Sequence, residues 1–248
     1  MAHEYQFVKL LHDNPDAAAE AAGVLKLLDE RCRAGGLQPV ADESKSHFTF
    51  LLIHSGSRWL HFDSRGHYLP MDSTDYAPVV HELSHHFPVV TVNARGAYSY
   101  ALRRYRDGKV LAHYANLMDD RPFPNRTSAE QWNPNYDDWA DLLAPGTDRS
   151  EFYQRLPAPP HPETPPAPFQ YDHYELLDHL ALLFGWNGRL NLSSVAMIED
   201  GEATRGDDFR SASGDYSDAA HGLTIHVRCY AHPEPGSNYS LTAPNGEA

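Results

Sequence analysis

The sequence predicts an α+β fold: a central, mostly antiparallel sheet with helices packed on it. Three observations carry this. Amphipathic helical patterns at residues 13–34 and 76–87 are interrupted by short β-prone runs, without the regular spacing of βαβ units. The strands pair through tight turns, at Ser55-Gly56-Ser57 and at Asp107-Gly108. A chain of 248 residues that is 41% hydrophobic can also bury a core of its own without disulfide staples.

The first helix is predicted over residues 13–34. Asn14 is placed to cap it, Pro15 suits the first helical position, and Ala17 to Ala22 are strong helix formers. Ala21, Val24, Leu25, Leu28 and Cys32 recur at helical spacing, and Gly35-Gly36 ends the run. Residues 47–54 (HFTFLLIH) and 58–63 read as two strands of a hairpin. A second helix spans residues 76–87, with Asp75 as cap and Pro78 in its first turn, and Pro88 stops it. Residues 89–94 follow as a strand. A hairpin then runs from 97–106 to 109–116, because Asp107-Gly108 favours the positive φ angles of a two-residue turn.

Beyond residue 116 the pattern changes. Trp132, Trp139, Leu142, Leu143, Phe152 and Tyr153 anchor a short helix and a covering loop. Seven of the twelve residues from 157 to 168 are proline, a stiff extended connector. Helix resumes at 172–184, and 190–198 and 223–230 read as strands. The acidic stretch 199–218 reads as a mobile loop. The expected organisation is therefore one globular unit. Its α+β core is 1–156, its connector 157–168, its C-terminal helix and strands 169–231 pack on the same core, and 232–248 form a flexible tail.

Charge narrows the function. Lys and Arg total 20 against 34 Asp and Glu, a formal net charge of -14. Nucleic acid and anionic membranes demand basic surfaces, so neither is the expected partner; a basic protein is. Two cysteines far apart exclude a disulfide scaffold and a Cys-rich zinc module. The N-terminal residues lack a signal-peptide pattern and no apolar run nears the roughly 18 residues of a membrane span, so a cytoplasmic protein is expected. Nucleophile-elbow, P-loop and dinucleotide-binding motifs are missing.

One motif carries chemistry. His81-Glu82-Leu83-Ser84-His85 matches H-E-x-x-H on a segment that reads as helix, so both imidazoles share a face. They can ligate Zn²⁺, with Glu82 as base for a bound water. In these five residues the chain resembles zincin metallopeptidases, which implies a zinc-dependent hydrolase. That is the alternative reading. Pro88 stands where the metzincin pattern has glycine, and the third ligand has to come from elsewhere, Glu130 and Glu175 being candidates. Tyr76, Val79, Val80, Leu83 and Phe87 form the apolar stripe of this helix, and the two histidines lie about 160° from Leu83 at 100° per residue. The leading expectation is therefore a solvent-facing histidine surface, with no catalytic residue and no cofactor.

Trp59 on a strand, Leu83-Ser84 on a helix, and the Tyr-rich hairpin of Tyr98, Tyr100 and Tyr105 around Asp107-Gly108 form a second pattern. In architecture and charge it resembles acidic bacterial immunity proteins of polymorphic toxin systems. The resemblance covers about a quarter of the chain and implies a non-enzymatic protein that binds and neutralises a toxin. From the residues themselves comes a candidate surface. Asp137, Asp138, Asp141, Asp148 and Glu151 rim an aromatic segment, giving Trp132, Tyr136, Asp137, Asp138, Trp139, Asp141 and Tyr153 as the expected partner-binding residues.

Overall fold

The computed structural model describes residues 4–41, 45–55, 57–65, 78–95, 99–116, 135–156, 173–186, 198–199, 202–203, 213–218 and 222–233. The elements in chain order are β1 (Glu4–Leu11), α1 (Ala17–Ala34), β2 (Gln38–Val40), β3 (Phe48–His54), β4 (Trp59–Arg65), α2 (Pro78–His86) and β5 (Val89–Arg95). They continue as β6 (Ser99–Arg106), β7 (Lys109–Asn116), a 3-10 turn (Tyr136–Asp138), α3 (Arg149–Arg155), α4 (His173–Phe184), β8 (Ile198–Glu199), β9 (Glu202–Ala203), β10 (Gly214–Asp218) and β11 (Leu223–Ala231).

Nine strands form one antiparallel sheet in the order β10-β11-β3-β4-β1-β5-β6-β7, with β2 pairing the end of β11. The fold is α+β, and its sheet reaches from the N-terminal strand to the C-terminal third of the chain. β1 lies inside it, between β4 and β5, with Leu10 opposite Leu60 on one side and Val89 on the other. Sequence reasoning had left residues 4–11 unassigned, because Glu4, Gln6 and Lys9 break the apolar run that marks a central strand.

Strand alternation sorts the core into two layers. On one face Leu10, Phe50, Leu52, Leu60, Phe62 and Val89 pack against Ala21, Val24 and Leu28 of α1 and Val79, Val80 and Leu83 of α2. Their chain neighbours Leu11, Trp59, Val90 and Val92 face the opposite way. They meet Trp139, Leu142, Phe152, Leu180, Leu183, Phe184 and Trp186. The acidic segment after β7 and the helix α4 thus form the second cover of the sheet.

Two expectations change in detail. Asp16, not Asn14, caps α1: its carboxylate accepts the N–H groups of Ala18 and Ala19 at 3.1 and 3.0 Å. Asn14 acts one step earlier, taking the Asp16 N–H at 2.9 Å. The stretch expected as a mobile loop, 199–218, contains strand: Glu202–Ala203 pairs with Ile198–Glu199, and Gly214–Asp218 pairs with β11. β10 is polar because it edges the sheet, so it has no apolar alternation to betray it. The proline connector and nearly all of the expected strand at 190–198 and of the tail lie outside the described residues.

Candidate functional site

The H-E-x-x-H helix is docked onto the β6–β7 hairpin. Asp107 (φ 50°) and Gly108 (φ 71°) make the expected two-residue turn. Ser84, fully buried, holds its tip: Oγ accepts the Gly108 N–H at 2.9 Å and donates to the His81 carbonyl at 2.7 Å. The Ser84 carbonyl accepts the Asp107 N–H at 2.8 Å. His81 and His85 stand edge to face, ring centroids 4.9 Å apart, and close over the glycine. A β-carbon built on Gly108 would lie 2.5 Å from His81 Nε2 and 3.0 Å from His85 Cε1.

Glu82 turns to the neighbouring helix instead, with its carboxylate 3.4 Å from the Arg31 guanidinium of α1. His85 is exposed and His81 half-buried, so the histidine face is split between solvent and the hairpin. Among the described residues no group of three or more His, Cys, Asp and Glu side chains is gathered to hold a metal ion. Glu130 and the Glu175 side chain lie outside the described residues.

The acidic aromatic segment is a folded cover. Asn135 caps the 3-10 turn, accepting the Asp137 N–H at 3.3 Å, and Asp148 caps α3, accepting the Glu151 N–H at 2.8 Å. Tyr136 is held from three sides. Its N–H donates to the Tyr153 hydroxyl at 3.3 Å, its own hydroxyl donates to the Thr147 carbonyl at 3.3 Å, and its ring meets Phe152 edge-on at 5.6 Å. Tyr136 and Tyr153 are half-buried, while Asp137, Asp138 and Asp141 reach solvent.

Trp139 is a correction. It is 1% exposed and packs edge-to-face on Phe184 at 5.8 Å, so it anchors the cover to the sheet and presents nothing to a partner. A tryptophan among aspartates resembles a surface anchor in sequence. The signal against that reading was Leu142 and Leu143, which sit one turn further on and are buried with it. Trp132 lies outside the described residues.

Much of the acidity is matched locally. Arg104 of β6 places a two-pronged fork on Asp141 at 2.7 Å per prong and also donates to the Asp138 carbonyl. Arg149 reaches Asp137 at 2.7 Å, and Arg155 reaches Glu151 at 3.2 Å. Five carboxylates (Asp137, Asp138, Asp141, Asp148, Glu151) therefore stand against three guanidinium groups, and the surface stays net acidic. Of the three arginines on β6, Arg103, Arg104 and Arg106, Arg104 is the one among those three guanidinium groups.

A buried pair was missed by sequence reasoning. Lys9 of β1 and His61 of β4 face each other in register inside the second core layer, 2% and 1% exposed. The Lys9 amine sits 5.4 Å from the centre of the Trp186 ring. Burial pulls the Lys9 pKa down to about 7, and burial, then the Lys9 charge, push that of His61 well below the usual histidine range. The signal was available: Lys9 shares the parity of Tyr5, Phe7 and Leu11, the positions that alternate with Glu4 and Gln6.

Compared with known protein families, with curated proteins and with solved structures, the chain matches none of them. No helix among the described residues is long and apolar enough to cross a membrane.

Proposed function

We propose that the chain is a non-enzymatic binding protein of immunity or inhibitor type, which neutralises a basic protein through the cover formed by Tyr136, Asp137, Asp138, Asp141 and Tyr153. One observation carries the reading: exposed carboxylates and half-buried tyrosines sit together on a segment whose underside is clamped into the core by Trp139, Phe152 and Leu142. Such a surface loses little conformational freedom on binding. With a net charge of -14 it also attracts a basic partner over a distance, which raises the rate of encounter. Nucleic acid and anionic membranes are disfavoured by the same charge, and a cytoplasmic setting fits a protein that guards its own cell.

The rival is zinc-dependent hydrolysis by His81, Glu82 and His85, since the two imidazoles do lie side by side on one helix. Metal analysis of the purified chain and a salt titration of binding separate the two. The binding reading expects no stoichiometric zinc and an affinity for the basic partner that falls steeply with ionic strength. Stoichiometric zinc that disappears in His81→Ala would overturn it in favour of the hydrolase.

A further inference from the structure

Arg149 lies on the acidic cover between an aromatic face and a carboxylate. Its Cζ lies 5.0 Å above the centre of the Tyr136 ring, and its Nη2 lies 2.7 Å from Asp137 Oδ1. A flat cation over an aromatic face, with a carboxylate at its edge, is a favourable setting for arginine. Lysine, a compact and strongly hydrated charge, gains less there.

We propose that the Tyr136 ring and the Asp137 carboxylate form a guanidinium seat, held in this chain by Arg149, which an arginine of the basic partner takes over on binding. The proposal rests on the binding function above and names the side chain that this surface recognises.

Three features make Arg149 a displaceable occupant. The pair it forms with Asp137 is open to water, at 58% and 65% side-chain exposure, and exposed ion pairs contribute little. Arg149 is the first residue of α3, the end of a helix where a positive charge opposes the dipole. The seat does not depend on it, because Tyr136 is fixed by Tyr153, Thr147 and Phe152. Arg104 shows the contrast on the same cover. Its fork on Asp141 is 13% exposed and ties β6 to the segment, so it is a strut and stays.

The test uses fluorescently labelled hexa-arginine and hexa-lysine peptides with the full chain at low salt, read by anisotropy. Removing one positive charge by Arg149→Ala tightens both peptides, so the decisive quantity is the arginine-over-lysine affinity ratio. The expected result is a several-fold rise of that ratio in Arg149→Ala, abolished in the double variant Arg149→Ala/Tyr136→Leu. Circular dichroism checks that both variants keep the fold. A ratio unchanged by Arg149→Ala overturns the proposal. If carboxylate neutralisation at Asp137, Asp138 and Asp141 still weakens both peptides in that case, the seat fails and the acidic binding surface stands. If no variant binds either peptide, both fail.

Discussion

Ser84 and Gly108 are joined by a buried hydrogen bond, Gly108 N–H to Ser84 Oγ at 2.9 Å, which fixes the H-E-x-x-H helix to the tip of the β6–β7 hairpin. Replacing Ser84 by alanine leaves that N–H without its acceptor. The expected cost is about 1–3 kcal/mol of folding stability, measured by urea denaturation. A change within about 0.3 kcal/mol would show that the contact does not hold the hairpin.

Gly108→Ala is expected to cost more than Ser84→Ala. The new methyl group must share space with His81 Nε2, and the backbone is at positive φ. His81→Ala opens that space, so the double variant Gly108→Ala/His81→Ala should recover about 1 kcal/mol relative to additivity. Strict additivity in the double-mutant cycle would mean that His81 does not crowd the turn.

How much was legible in the sequence follows from these residues. Asp107-Gly108 announced its turn because the required φ angles are chemically restrictive, and α1 and α2 announced themselves through apolar periodicity. β1 and β10 did not, since polar residues interrupt one and fill the other. The candidate surface was legible in its charges, as Asp137, Asp138 and Asp141 reach solvent where carboxylates belong. It was illegible in its tryptophan, because composition does not say which face of a segment Trp139 takes. The docking of His81 and His85 on Gly108, 27 and 23 residues away, is a tertiary contact that no local pattern encodes.

Trp139 and the carboxylates beside it should therefore separate stability from binding. Trp139→Ala is expected to cost about 3–5 kcal/mol, as for other fully buried aromatics. Asp137→Asn, Asp138→Asn and Asp141→Asn together should cost less, since the Asp137 pair is open to water, the Arg104 contact at Asp138 is to its backbone carbonyl, and an amide at 141 can still accept one prong of Arg104. Denaturation curves of the two variants check the contrast; comparable losses would mean that the cover is held by its charges.

Lys9 gives stability a distinct pH dependence. Its pKa is about 7 in the folded chain against the ordinary lysine value of 10.5, so between these limits the unfolded chain binds more protons. Stability therefore rises with pH across that window, and the penalty of burying the charged amine is fully present below it. Lys9→Met should add a few kcal/mol near neutrality and flatten the slope between about pH 7 and 10. Denaturation at a series of pH values tests this, and an equally steep slope in the variant would assign the dependence to other groups.

Binding through the acidic cover is measured by the affinity of the basic protein partner for the native chain and for the Asp137→Asn/Asp138→Asn/Asp141→Asn variant, across ionic strength. The variant is expected to bind at least about tenfold more weakly at low salt, with a shallower salt dependence. Equal affinity and equal salt dependence for the two proteins would contradict it.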